Sequence, residues 1–353
     1  MYRILFLASP VGPIGSGQSG GVETKLALLT SKLLAFGHKV GVVAPAESIL
    51  PFGVDVYQIF GAKPLNVAEA ARDDLPVQST QGVLEKMWEK AQALSGQYDV
   101  VIAMSHDWLS YYLTQFLPIP VLHWVTVSSA VDAVSDMIRK RYSAAPERFA
   151  FCSRAQVSTF GLLDSERARL IPGAVDQAVF RFRASADRAL CWSARISPEK
   201  GLEDALCVAV RLNIPLNVCG RIQNEGYWET VVKSAPARLL RYHGFLTHKQ
   251  LSEVLGNSLV MLFTSKWTEA FGFSVIEALA CGTPVVAYNS GGPSEIIEDG
   301  KSGYLVSPGA IDAMARAVLS AESLSRSDAR HRAEQFTVLQ MAQRVEEWIE
   351  GVA

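Results

Sequence analysis

What most limits this chain is a rhythm that is played twice. Short apolar runs of strand length alternate with longer amphipathic stretches from end to end, and after a Pro–Gly break the alternation starts again. Apolar runs without polar alternation are buried on both faces, the signature of parallel strands covered by helices. Strands are expected near 3–9, 39–44, 54–59, 99–104, 120–124, 149–152 and 169–171, with helices between them that include 21–36, 80–95 and 107–116. The segment from Ile171 to Asp176, with Pro172 and Gly173 inside it, reads as the exit from this half. A second set follows near 188–193, 215–219, 240–243, 259–264 and 285–288, with helices near 201–212, 225–235, 248–256, 274–281 and 293–298. Residues 310–351 read as helical. The expected organisation is α/β: a Rossmann-like domain over 1–175, a second over 176–335, and a C-terminal helix over 336–353 that returns to the first. Two such domains bind ligands beyond the carboxyl ends of their strands, in a cleft across which they face each other.

Charge and cysteine usage narrow the function. A net charge of −2 over 353 residues argues against a nucleic-acid partner, and the clusters Arg139–Arg141 and Arg181–Arg183 are too short to track a phosphate backbone. They read as solvated helix or linker faces. Five scattered cysteines (Cys152, Cys191, Cys207, Cys219 and Cys281) form no CxxC pair, so a reduced, cytoplasmic protein is expected rather than a disulfide frame or zinc site. No apolar run approaches the ~20 residues of a transmembrane segment, and the N-terminus reads as a buried first strand.

Gly15, Gly17 and Gly20 match GxGxxG, the dinucleotide fingerprint. The context does not: Pro10–Pro13 separates the strand from the first glycine, and the second strand ends Val43-Ala44-Pro45 without the ribose-binding acid. The segment reads either as a flexible turn or as a phosphate cradle at Gly20 and Gly21, where a helix N-terminus offers free amides.

The stretch from Trp267 to Val286 is the most informative. Seven residues separate Glu269, in a loop, from Glu277, about a turn into the following helix. Between them Ala270, Phe271, Gly272 and Phe273 supply amides at the helix start. One such turn can bind an anion through its amides and hydroxyls through its two acids. With Phe271-Gly272 and the run from Ile276 to Val286, it resembles the ExxxxxxxE signature of the family-4 retaining glycosyltransferases of GT-B fold. That resemblance implies that Glu269 holds hydroxyls of the donor sugar and Glu277 the ribose. Arg195 and Lys200-Gly201 resemble the family's pyrophosphate clamp, and His243-Gly244-Phe245 the turn whose backbone reads the base. In the first half, His106-Asp107-Trp108 is similar to the turn whose histidine faces the donor sugar, while Asp107 is also a plain N-cap. His123 and Trp124 are an acceptor-side candidate pair, with Gly15 and Gly17 beside them. Ser290–Ile297 and Asp299–Val306 continue the pattern, their glycines shaping loops.

Two departures from the family stand out: Pro172-Gly173-Ala174-Val175-Asp176 replaces the usual Asn-Gly-Val-Asp, and the first domain is short. A narrower resemblance, carried by Pro10–Gly17 and Trp267–Phe271, is to cyanobacterial UDP-glucose:tetrahydrobiopterin glucosyltransferases. It implies glucose moving from UDP-glucose to the side-chain hydroxyl of a reduced pterin; a lipid or sugar acceptor is the alternative. No cofactor and no metal are expected, since no DxD motif is evident and Arg195 and Lys200 supply the charge that the leaving diphosphate needs. Catalytic roles fall on His106, Arg195, Lys200 and Glu269. Two other classes stay open: a sugar-nucleotide epimerase of the same fold, and a silent UDP-sugar-binding subunit.

Overall fold

In the computed structural model, residues 1–15, 21–62, 72–73 and 82–352 are described, those of 21–24 by their backbone alone. The motif glycines Gly17 and Gly20 lie outside these residues. The chain folds as two compact units: 1–173 with 338–353, and 174–337.

The first unit is a parallel sheet. After its exposed first residue, β1 (Arg3–Leu7) is wholly buried, as two-sided cover by helices requires. The chain continues through α1 (Gly21–Ala35), β2 (Lys39–Pro45), β3 (Asp55–Ile59), α2 (Val83–Leu94), β4 (Val100–Ala103), α3 (Trp108–Leu113) and β5 (Val121–Val125). It then forms α4 (Asp132–Ala144), β6 (Phe149–Phe151), α5 (Arg154–Ser158) and β7 (Arg169–Leu170). The sheet order is β3-β2-β1-β4-β5-β6-β7, so the direction of winding reverses between β1 and β4.

The second unit repeats the scheme with β8 (Leu190–Ser193), α6 (Leu202–Leu212), β9 (Leu216–Cys219), α7 (Glu225–Ser234), β10 (Leu240–Tyr242), α8 (His248–Asn257) and β11 (Val260–Phe263). It closes with α9 (Phe273–Ala280), β12 (Val285–Tyr288), α10 (Pro293–Ile296), β13 (Gly303–Val306), α11 (Ile311–Ala321) and α12 (Arg326–Ala333). Its order is β10-β9-β8-β11-β12-β13, all parallel, with the reversal between β8 and β11. Leu190, Trp192, Leu216, Val218 and Leu262 meet the inner faces of α6 and α11 in one core. Both sheets are therefore Rossmann-like, as the rhythm of the sequence requires.

The stretch expected to be helical over 310–351 is three helices, broken where Ser325 caps α12 by accepting the Asp328 N–H at 3.3 Å. The last, α13 (Val338–Glu350), buries Met341, Ala342, Val345, Trp348 and Ile349, a stripe at helical spacing, and packs on α1 in the first unit. Trp348 is fully buried and donates its indole N–H to the Glu147 carbonyl at 2.8 Å. Tyr2 donates its main-chain N–H to His38 Nδ1 at 3.1 Å, which leaves the imidazole proton on Nε2, 3.0 Å from Glu346 on α13. Trp348→Ala should accordingly destabilise the first unit by about 3–5 kcal/mol, the range for truncating a buried aromatic. Urea unfolding followed separately by probes in each unit checks this: the second unit's transition should not move.

Candidate active site

The reversal point of the second sheet sets the loop after β8 beside the loop after β11, and main-chain and hydroxyl contacts hold them together. Lys266 donates its N–H to the Glu199 carbonyl at 2.8 Å. The Thr264 hydroxyl accepts the Trp192 indole N–H at 3.0 Å and lies 2.7 Å from the Gly201 carbonyl oxygen. Gly201 has φ +65°, and a Cβ there would stand 2.3 Å from the Thr264 carbonyl oxygen, so only glycine permits this approach.

The charged groups follow from that geometry. Lys200 ends the turn before Gly201, and its ammonium pairs with the Glu269 carboxylate, which also accepts the Ser265 hydroxyl at 3.0 Å. Arg195 donates to the Gln223 side-chain oxygen and lies 3.5 Å from Glu199. Both cations expected to clamp a diphosphate thus face the same edge of the sheet, and each already has an acid beside it.

At α9 the chain enters the helix through Gly272, φ +111°, and the N–H groups of Phe271, Gly272 and Phe273 donate to no acceptor among the described residues. Ala270 and Phe271 are buried by side chain, Phe271 packing on Phe273 and Phe336, so these residues present only backbone. Gly291 and Gly292 lie against this loop: a Cβ on either would come within 2.5 Å of the main chain of Glu269 or Phe271. They shape the loop. Glu277, the fifth residue of α9, has no hydrogen bond or ion pair with a described residue, and burial pushes its carboxyl up to about 7.

The turn after β10 carries Gly244, φ +73°, whose carbonyl accepts the Gly220 N–H at 2.9 Å. Phe245 is 47% exposed, with the Arg221 guanidinium 5.6 Å from its ring centroid. The sequence motifs did not single out Arg221, Gln223, Thr264 or Lys266. They also passed over two arginines of α12. Arg326 donates to the carbonyls of Gly256, at 2.8 Å, and Ser258, at 3.0 Å, and Arg330 to that of Ala280 at 2.7 Å. These cations sit at the carboxyl ends of α8 and α9, where orphan carbonyls and the negative dipole end favour them. No local motif announces such contacts, because their acceptors are main-chain groups remote in sequence.

The first unit, taken by itself, places His106 just after β4, beside the end of β1, where Met104 donates its N–H to the Leu7 carbonyl at 2.9 Å. Both ring nitrogens are shielded from solvent and have no partner among the described residues. Burial lowers the pKa to about 4, so the ring is neutral near pH 7. Asp107 caps α3 by accepting the Leu109 N–H at 2.8 Å. Gly21 is the first residue of α1.

Two acceptor-side expectations need correction. His123 and Trp124 are each 1% exposed in the middle of β5. His123 lies 2.7 Å from the Thr114 hydroxyl and stacks on Phe149, while Trp124 donates to the Ile171 carbonyl at 3.3 Å beneath the Lys25 ammonium. Both rings are core packing, since alternate residues of a central strand point into opposite buried layers. Gly15 is exposed, with φ +72°, and a Cβ there would stand 2.3 Å from the Ile49 carbonyl oxygen.

Residues 180–337 match the family described as Glycosyl transferases group 1, a span that lies inside the second unit. The 2-deoxystreptamine N-acetyl-D-glucosaminyltransferase of Niallia circulans is 28% identical over 53% of this chain, which spans only 43% of that relative's length. The D-inositol 3-phosphate glycosyltransferase of Geodermatophilus obscurus is 27% identical over 93% of this chain and 84% of its own. Among solved structures, the sucrose-phosphate synthase of Thermosynechococcus elongatus superposes with a TM-score of 0.80 at 18% identity, covering 99% of both chains. HepE of Anabaena, solved with UDP and glucose, has a TM-score of 0.75 at 18% identity over 99% of this chain and 100% of its own. The fold is that of the GT-B glycosyltransferases, and the second unit carries the signature of the group 1 family.

The raised Glu277 pKa has a consequence for stability. An acid titrating near 7 in the folded state and near its ordinary 4.5 when unfolded destabilises the fold progressively as pH rises between those values, and fully above them. Glu277→Gln removes that cost, which is at most about 3 kcal/mol. Without ligand, the variant should gain stability over the wild type from pH 5 to pH 8, measured as the difference in Tm; a difference independent of pH would refute the buried-acid assignment.

Proposed function

We propose that the chain transfers a hexosyl group from a UDP-sugar, with glucose the best candidate, to a hydroxyl of a small acceptor with retention of configuration. The observation that carries this reading is the unpartnered Glu277 carboxyl, a helical turn behind three undonated amides, on the helix that follows the loop whose Glu269 pairs with Lys200. Amides and cations suit a diphosphate, and the two acids suit hydroxyls at its two ends. In this assignment Glu277 accepts from the ribose, Glu269 from the sugar, and the Gly244–Phe245 turn meets the base. His106 is assigned to the donor sugar by resemblance, its neutral ring having one N–H to donate.

The donor ionises towards an oxocarbenium ion as the anomeric C–O bond breaks. Arg195 and Lys200 stabilise the departing diphosphate, and the acceptor hydroxyl attacks from the same face, passing its proton to a phosphate oxygen. Charge stabilisation at the leaving group is the largest contribution. Either Arg195→Ala or Lys200→Ala should remove roughly 2–4 kcal/mol of transition-state stabilisation in kcat/KM. Near-normal turnover of both folded variants would rule out the clamp. Because those cations supply the charge, activity should persist in excess chelator; loss that magnesium or manganese restores would overturn that part.

The two acids separate in binding. Glu277→Gln should weaken free UDP by about 1.5–3 kcal/mol in calorimetry, the value of a hydrogen bond to a charged group. Glu269→Gln should leave UDP affinity unchanged or tighter, since it frees Lys200, while impairing transfer. Equal losses in both variants would refute the division of roles. For the acceptor, the resemblance of Pro10–Gly17 and Trp267–Phe271 supports a reduced pterin, now without His123 and Trp124 as its wall. UDP-glucose offered with tetrahydrobiopterin, simple sugars and a lipid acceptor decides: a pterin glycoside supports the assignment, another glycoside replaces it, and an epimer or no turnover defeats the transferase reading.

A further inference from the structure

The first unit has a feature that transfer chemistry does not use. A hollow of about 500 Å³ is lined by Arg167, Arg169, Arg344, Glu147, Glu347 and Leu170, among others. Residues 146–148 lead into β6 and Arg167 stands just before β7, while Arg344 and Glu347 lie on α13. All strands of the sheet run parallel, so this is its amino edge, opposite the carboxyl edge that carries His106. The Trp348–Glu147 hydrogen bond joins two of its walls.

Three guanidinium groups and two carboxylates share this hollow, yet none has a hydrogen bond or ion pair with a described residue. Three cations against two anions leave the hollow with an excess of positive charge, which a bound anion would offset. Arginine forks fit phosphate oxygens two at a time, and carboxylates accept from hydroxyls. An open concavity of this size has room for one small molecule, and its two carboxylates would repel an anionic membrane surface.

We propose that this hollow binds a soluble phosphorylated polyol, with Arg167, Arg169 and Arg344 gripping the phosphate and Glu147 and Glu347 accepting its hydroxyls. Its occupant would tie α13 to β7 and stiffen the first unit at the edge remote from His106. The proposal is independent of the donor reading.

The test is calorimetric titration of sn-glycerol 3-phosphate into the full chain under saturating UDP, which keeps the probe from the Arg195–Lys200 region. One equivalent should bind. The double variant Arg167→Gln/Arg344→Gln should keep the wild-type Tm and UDP affinity but bind the probe at least about tenfold more weakly, as loss of charge-assisted bonds requires. Glu147→Gln should weaken glycerol 3-phosphate and leave inorganic phosphate unchanged. No binding by the wild type, or equal binding by the double variant, overturns the proposal. So does the converse pattern, in which only phosphatidylcholine vesicles containing phosphatidylglycerol bind and the double variant loses them.

Discussion

How closely the loop after β8 can approach the loop after β11 decides where the charges of the candidate site stand. The approach depends on Gly201, whose left-handed backbone and missing Cβ let the Thr264 carbonyl come in, and on the Thr264 hydroxyl, which joins the buried Trp192 indole to the Gly201 carbonyl. That chain of contacts runs from the hydrophobic core to the edge of the sheet. Lys200 and Glu269 are its outermost members, from loops separated in sequence but adjacent at the topological reversal. Core packing and site geometry are one constraint here, because moving either loop disrupts both.

The helix that carries Glu277 is held at both ends by different means. At its start, Pro293 lies against Gly272, and Gly292 donates its N–H to the Glu269 carbonyl at 2.8 Å. At its end, Arg330 takes the Ala280 carbonyl, and Arg326 reaches the Thr283 hydroxyl at 2.9 Å. Its neighbours along α9, Val275, Ile276, Ala278 and Leu279, are apolar and buried, so a carboxyl at Glu277 is costly in the absence of a ligand. A helix held at both ends with one poorly satisfied acid gives up stability at that position, which functional sites commonly do.

Much of this was legible because apolar runs buried on both faces have few other solutions. The strands expected near 39–44, 54–59 and 285–288 are β2, β3 and β12 almost residue for residue. What the rhythm hid has physical reasons. β13 is a half-exposed edge strand with a weak apolar signal, and α4 and α5 are short or polar helices. His123 and Trp124 looked functional because ring residues after an apolar run suggest a strand end, whereas the strand runs on to Val125 and buries both. Periodicity gives the existence of a strand more securely than its last residue, and one residue decides whether a side chain reaches the edge or the core. The α12 arginines and Thr264 act on remote main-chain groups, which leave no trace in local sequence.

The Lys200–Glu269 pair bears on how the proposed reaction selects its donor. With no ligand bound, each group neutralises the other, which avoids the penalty of a lone charge in a partly buried loop. A diphosphate arriving at Lys200 competes with Glu269 for the ammonium, and to the extent that it wins, the carboxylate is left in need of new donors. Sugar hydroxyls supply them; free UDP does not. In the proposed assignment the pair would couple the two ends of the donor, so that satisfying the cation with phosphate becomes favourable in full only when a sugar satisfies the acid. A site of unopposed cations would bind UDP and UDP-sugar more nearly alike. For the proposed reaction the preformed pair would give up some affinity for the product nucleotide, and would thereby favour the intact donor on entry and release of UDP once the sugar has left.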